Sequence, residues 1–150
     1  MENMVKEQFV KATGALQVVL KDEFGNIKEE RHIPNLVVTV GKNFIASRMV
    51  GTASAVMSHM AVGTSATAPA DANTTLGAEI GRVALASSTA SGNVVTYTAN
   101  FPAGTGTGAL TEAGILNAAT NGTLLCRTVF SVVNKAAADT LSITWNVTIN

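Results

Sequence analysis

The stretch Leu141-Ser142-Ile143-Thr144-Trp145-Asn146-Val147-Thr148-Ile149 alternates apolar and polar residues without a break. On extended backbone successive side chains point to opposite faces, so a period of two builds a strand with one apolar and one polar face. A helix would scatter the same residues around its circumference. The period recurs outward from this segment. Gly14 to Leu20 sets Leu16, Val18 and Leu20 against Ala15, Gln17 and Val19, and Asp22 to Asn26 supplies the Gly and Asn of a turn. The return strand is Ile27 to Ile33, polar enough for an edge or solvent-facing place, with Pro34 expected to end it. Val94 to Phe101 places Val95, Tyr97, Ala99 and Phe101 on one face, after a strand Val83 to Ser87 and a turn Ser88 to Asn93. Leu110 to Asn117 leads into Asn121-Gly122, a hairpin signal because both residue types tolerate positive φ, and Thr123 to Val133 returns from it.

One segment has a different period. Between Thr39 and Val50 the apolar residues Val40, Phe44, Ile45 and Met49 fall four, one and four apart, which predicts a short helix with Thr39 as N-cap and Gly51 as its stop. Its apolar face suits a lid on the end of a sheet. Met57 to Val62 reads as a short strand, Leu76 to Arg82 as a turn-like segment, and Gly63 to Thr75 as a polar loop able to reach toward a neighbour. Several short strands with turn signals between them predict a mainly β chain, an antiparallel β-sandwich or small jelly-roll-like barrel with one short helix near residues 40–50. The expected organisation is an N-terminal arm, residues 1–12, and a single sandwich-like domain, residues 13–150.

Composition narrows the function classes. Apolar residues make up 47% of the 150 and charged residues only 13%, so Ala, Gly, Ser, Thr and Asn must cover much of the surface. Such a surface loses little rotamer entropy and hydration when covered, which suits a protein embedded in an assembly. Ten basic and ten acidic residues leave a formal net charge of zero, without the basic footprint that phosphate neutralisation demands, so nucleic acid is not an expected partner. Charge concentrates in Lys21 to Arg31, consistent with an exposed hairpin. No apolar run approaches the roughly 20 residues of a membrane span, so no membrane partner is expected. Met1 to Gln8 lacks the pattern of a secretory signal, and the expectation is synthesis in a cytosol-like compartment. Cys126, the single cysteine, reads as a small buried residue with no redox role.

The chemistry of catalysis is sparse. His32 and His59 sit on different strands with no acidic or cysteine partner at a ligand spacing, so no metal is expected. There is no Gly-x-Ser-x-Gly elbow. The run Gly104-Thr105-Gly106-Thr107-Gly108 lacks the Lys-Ser/Thr ending of a phosphate loop and reads as a flexible linker; no cofactor is expected. Glu79 and Glu112 lie in apolar settings where a salt bridge is commoner than an acid/base pair, with Arg82 and Arg127 as candidate partners. These four residues are the candidate structural ion pairs, and no catalytic residue is assigned.

Five phrases in order carry a resemblance: Asn35-Leu36-Val37-Val38-Thr39-Val40-Gly41-Lys42; Met60-Ala61-Val62-Gly63-Thr64 followed by Ala68-Pro69; Thr75-Leu76-Gly77-Ala78-Glu79-Ile80-Gly81-Arg82; Thr111-Glu112-Ala113-Gly114-Ile115-Leu116; and Gly122-Thr123-Leu124-Leu125-Cys126-Arg127. Together they resemble small structural proteins of tailed bacteriophages, found as head decoration (cement) proteins and within tail-fibre or baseplate proteins. The resemblance implies a non-enzymatic virion component that binds the major capsid protein and copies of itself, with a trimer suited to a local threefold axis. It places the protein on the outer capsid surface after synthesis in the host cytoplasm. A tail, neck or baseplate component in host attachment is the alternative. An enzyme such as a cell-wall hydrolase is the third reading, and the sparse site chemistry speaks against it.

Overall fold

The two-residue period becomes a sheet in a computed structural model that describes residues 11–52 and 54–150. The elements are β1 (Ala12–Lys21), β2 (Ile27–Val37), α1 (Thr39–Met49), β3 (His59–Gly63), β4 (Glu79–Ala84), β5 (Ser87–Ser91), β6 (Val94–Phe101), β7 (Gly108–Leu116), β8 (Leu124–Lys135) and β9 (Thr140–Ile149). The nine strands form one antiparallel sheet of order β4-β3-β7-β8-β2-β1-β9-β6-β5, curled into a half-barrel. The chain is therefore mainly β, with one short helix, as its alternation predicts.

Two strands that change partners curl the sheet. β2 pairs with β1 as far as Asn35 and then with β8 at Leu36 and Val37. The expected stop at Pro34 is not where the strand ends. The Pro34 carbonyl accepts a hydrogen bond from Thr128 Oγ1 at 2.8 Å on the β8 side. The missing N–H shares that side, so the ladder to β1 loses nothing. For the same reason β2 is an edge only along its charged first part, where Arg31 bridges to the carbonyls of Ser131 and Val132. The second switch lies between β4 and β5: Leu85 N–H donates to Ser58 O, and Ala86 N–H to Thr98 O in β6. The expected strand Val83 to Ser87 is thus split at this crossing, and most of the expected turn Ser88 to Asn93 is β5.

The inward faces meet in one core. Leu16, Val18 and Leu20 stand opposite Trp145, Ile143 and Leu141, which in turn oppose Tyr97, Ala99 and Phe101. These rungs pack against Met60, Val62, Leu110, Ile115, Leu125 and Val133 of the other half. Each fully buried aliphatic or aromatic side chain contributes about 1.5–3 kcal/mol relative to exposure. β7 is buried on both faces, because Leu116 joins Val38, Ala61, Leu76 and Leu124 in a second, smaller core on the outer side of the sheet. Leu76 closes that core over Gly114, where a Cβ would lie 2.5 Å from Leu76 Cδ1. The segment 64–78 is therefore tied to the sheet, and the loop expected to reach outward, Gly63 to Thr75, is held there through the hydrogen bond from Thr39 N–H to Asp71 O.

α1 sits on the corner between the two halves. Gly41 lets it approach β8 so closely that a Cβ would stand 2.0 Å from Leu125 O. Phe44 and Ile45 pack on the main core and Val40 on the smaller one. Thr39 is the first helical residue and not the cap; Val38 holds that place, with its N–H on Leu125 O. Gly51, at φ 68°, ends the helix. Residues 1–10 of the expected arm lie outside the described residues. Lys11 and Ala12 already belong to the sheet margin, where Lys11 exchanges both backbone hydrogen bonds with Asn150.

Candidate functional site

Glu112 enters the outer face of β7 opposite Gly63 of β3. Arg127 of β8 lies opposite Gly114, two residues along β7, so the two side chains are diagonal neighbours on one face. Arg127 donates from Nε at 3.0 Å and from Nη2 at 2.9 Å to Glu112 Oε2. Gly77 N–H also reaches Oε2 at 2.9 Å, while Ala78 N–H reaches Oε1 at 2.6 Å and Ser65 N–H at 3.4 Å. The rest of the guanidinium donates to Asn73 Oδ1 and Thr67 O. Both side chains are shielded, at 0% and 2% exposure. A buried charge pair survives only when its remaining lone pairs and protons are satisfied, and here the segment 64–78 supplies most of those partners. The pair pins that segment to the sheet. With its oxygens filled and no approach from solvent, Glu112 is placed to hold backbone and not to move a substrate proton.

Glu79 and Arg82 are three apart on β4, a spacing that puts side chains on opposite faces of a regular strand. Val62 pairs with Gly81 but Gly63 pairs with Glu79, so Ile80 is an extra residue. This bulge turns the two onto one face. Arg82 Nε and Nη2 take the Glu79 carboxylate at 2.9 and 2.6 Å, and Nη1 donates to the carbonyls of Ala118 and Asn121. The ion pair thereby braces the β7–β8 turn, in which Asn121 and Gly122 have φ of 54° and 82°. The bulge also explains why Leu76 to Arg82 reads as a turn: the alternation breaks inside a strand.

The sequence did not single out a third charged group at the opposite end of the sheet. Lys28 Nζ meets Asp139 Oδ2 at 2.7 Å, and Asp139 also accepts from Ala136 N–H. The Lys28 hydrogen bond, then that of Ala136, holds the Asp139 carboxyl below its ordinary value. Lys135 is buried and donates to Pro102 O at 3.0 Å; burial lowers its ammonium pKa, against the pull of Asp139. Gly104 N–H bonds to Ala137 O, and Gly106 is buried against Val62 and Phe101. The glycine run expected as a flexible linker is therefore a packed turn.

The broadest surface is the outer face of β1, β9, β6 and β5. In register across it lie Ala15, Asn146, Thr96 and Thr89, and in the next row Gln17, Thr144, Thr98 and Ser87. Val19, Ser142 and Asn100 continue it. These rows carry no formal charge, and their side chains bond to one another: Thr96 to Asn146, Ser142 to Asn100, and Ser87 to Thr98. The charged flank begins with Glu30 and His32 on β2, which stand 3.8 Å apart.

The other reactive side chains are housed in the fold. Cys126 is fully buried, and desolvation raises its thiol pKa. Burial likewise pushes the Tyr97 hydroxyl up to about 12. His59 shares a 2.8 Å hydrogen bond with Ser58 Oγ. Among the described residues there is no group of three or more His, Cys, Asp and Glu side chains arranged to hold a metal ion, and no helix long and apolar enough to cross a membrane. Sequence reasoning missed the residues that hold the Glu112–Arg127 pair: Ser65, Thr67, Asn73, Gly77 and Ala78. Comparison with protein-family models, with curated proteins and with solved structures gives no match to this chain.

Proposed function

We propose that this chain is a non-enzymatic structural protein of a tailed-bacteriophage particle, a decoration protein that binds the major capsid protein and copies of itself to strengthen the head. The observation that carries the reading is the set of uncharged rows across the outer face of β1, β9, β6 and β5, with Lys21 at one margin. A face of Thr, Ser, Asn and Ala loses little side-chain entropy when covered, and its mutual hydrogen bonds already satisfy some of its polar groups. Adjacent strands stand about 4.8 Å apart and rise about 3.4 Å per residue, so the four-strand face is wide enough to form much of a standard interface. A typical partner in a stable complex contributes about 800 Å². The five-phrase resemblance supplies the phage assignment, and the two ion pairs, one buried and one at the surface, supply rigidity: segment 64–78 and the β7–β8 turn are fixed before any partner arrives, so little ordering cost remains for binding. Oligomerisation as a trimer belongs to the same proposal, through a head-to-tail contact between two different patches that closes into a ring and leaves neither patch open.

Copy number in purified particles, measured by quantitative mass spectrometry against the major capsid protein, tests the role. A ratio near one to one, or another substantial fraction, supports shell-wide decoration. A handful of copies per particle would overturn decoration in favour of a neck, tail or baseplate place. Charging the face with Thr144→Glu should abolish incorporation into particles while leaving the thermal midpoint of the free protein unchanged.

A further inference from the structure

Two large apolar side chains stand in solvent at opposite ends of β1. Phe24 is 81% exposed at the tip of the β1–β2 hairpin, and Met49 is 85% exposed at the end of α1. Exposed singly, such side chains need no explanation; here each sits beside charges of opposite sign. Met49 lines an apolar groove of about 530 Å³ between α1 and the margin where β1 and β9 meet. Ile45 shares the helix wall, Ala12 and Ile149 form the opposite one, and Lys11 and Lys42 are the charged residues, with no acid among the described residues that line it. The hairpin tip has the opposite character, because residues 22–26 carry Asp22 and Glu23 and no base. Of the basic residues flanking it, Lys28 is held by Asp139 at 2.7 Å, and Lys21 closes β1 opposite Thr140. Asp22 Oδ1 accepts from the N–H groups of Phe24 and Asn26, each at 2.9 Å, and Asp22 N–H donates to Asn26 O at 2.9 Å. Phe24 is thus presented on a turn already fixed in shape.

We infer that this groove takes the β1–β2 hairpin tip of a second copy of the chain, with Phe24 seated among Ile45, Met49 and Ile149 and Glu23 facing Lys42 at the rim. The inference deepens the self-association proposed above by naming the two patches of its head-to-tail contact; it rests on that reading and not on the assignment to a virion. Charge complementarity selects the occupant: an acidic tip meets a basic groove, and both carry exposed apolar groups between their charges. An aromatic anchor in an apolar pocket with charged pairs at its edge is the arrangement that concentrates binding energy in few residues. The fixed turn adds to this, since little conformational freedom remains to be lost when it docks. Length makes the occupant another molecule. Ala12 lines the groove, and the ten residues of β1, at about 3.3 Å each, carry the turn about 30 Å away from it. A chain therefore cannot fill its own groove. Because the contact joins two different patches, a copy that gives its tip still has an open groove, and the series ends only by closing into a ring.

Disulfide trapping between full chains tests the contact. Glu23 and Lys42 are exposed, so Glu23→Cys and Lys42→Cys leave the core and Phe24 untouched, and the native Cys126 is buried with its thiol pKa raised. Neither variant alone should form covalent dimers, an equimolar mixture of the two should, and the double variant should run as closed covalent rings. A second measurement needs no cysteine. Phe24→Ala should weaken association in sedimentation by about tenfold or more, the usual effect of truncating an aromatic anchor, with the thermal midpoint of the dilute chain unchanged. Glu23→Lys and Lys42→Glu should each weaken association, and a chain carrying both should recover it. Covalent dimers of Glu23→Cys by itself would set tip against tip and overturn the inference. Self-association that Phe24→Ala leaves unchanged would overturn it too, and the trimer proposed above would then stand on other patches. A native chain that stays monomeric at every concentration would overturn both.

Discussion

A Cβ built on Gly63 would stand 2.4 Å from Oε1 of Glu112, so the hydrogen of this glycine is the space the carboxylate occupies. The same atom would meet Ala78 O at 2.4 Å, leaving neither neighbour free to give way alone. Gly63→Ala should therefore push the carboxylate from the N–H groups of Ala78 and Ser65 and lower stability by about 2–4 kcal/mol, as for loss of a buried charged network. Urea denaturation reads it; an unchanged midpoint would show that the sheet absorbs a methyl group here.

Glu112→Gln keeps the shape of the side chain and removes its charge. Arg127 is then a buried cation without a counter-ion, and one amide hydrogen-bond donor faces backbone donors. The expected loss is about 3–5 kcal/mol, accompanied by proteolytic cleavage within residues 64–78 and by poorer assembly. If assembly and stability both match the native chain, the pair is not what fixes this segment.

Acid should unfold the protein partly through Asp139. Its carboxyl pKa lies below the ordinary 3.8, chiefly because of Lys28. A carboxyl that ionises more readily when folded stabilises the fold above its unfolded pKa, and that contribution fades as pH falls through 3.8 toward the folded value. Asp22, lowered chiefly by the Asn26 backbone, acts in the same window. Stability measured between pH 5 and pH 2 should decline, and Asp139→Asn should flatten the decline. An identical slope in the variant would remove Asp139 from the account.

Thiol labelling offers a probe of global opening. With its thiol buried and its pKa raised by desolvation, Cys126 should react only as fast as the core unfolds. The labelling rate should fall to the independently measured unfolding rate, and faster labelling would reveal a local opening of β8.

Much of the fold was legible wherever one face meets the core and the other meets water. Trp145 and its alternating neighbours announce β9, Leu16 to Leu20 announce β1, and Asn121-Gly122 adopts the two positive φ values its residue types favour. The period fails where both faces are covered. Ala113 and Ile115 point to the main core while Leu116 fills the smaller one, so β7 shows no alternation to mark its outer cover. Gly63 to Thr75 looked like a free loop because several of its anchors are backbone groups, the N–H of Ser65 and the carbonyls of Thr67 and Asp71, which leave little trace in residue type. Glu79, Glu112, Arg82 and Arg127 were visible as charges in apolar settings. Their cradle was not, because Ser65 and Gly77 reach Glu112 only after the chain has folded back across the sheet.

The place of β9 between β1 and β6 bears on when the protein can form during synthesis. β9 is the central strand of its half of the sheet, yet it is made of residues 140–149. Until those residues have left the ribosome, β1 and β6 face each other across a missing strand, and Leu16, Val18, Tyr97 and Ala99 lack the Trp145 and Ile143 that join them. Pairing over so long a sequence separation is slow, and the β1–β6 half of the sheet cannot close on a nascent chain. The uncharged rows all run through β9, so none of them is continuous until residues 140–149 have been made.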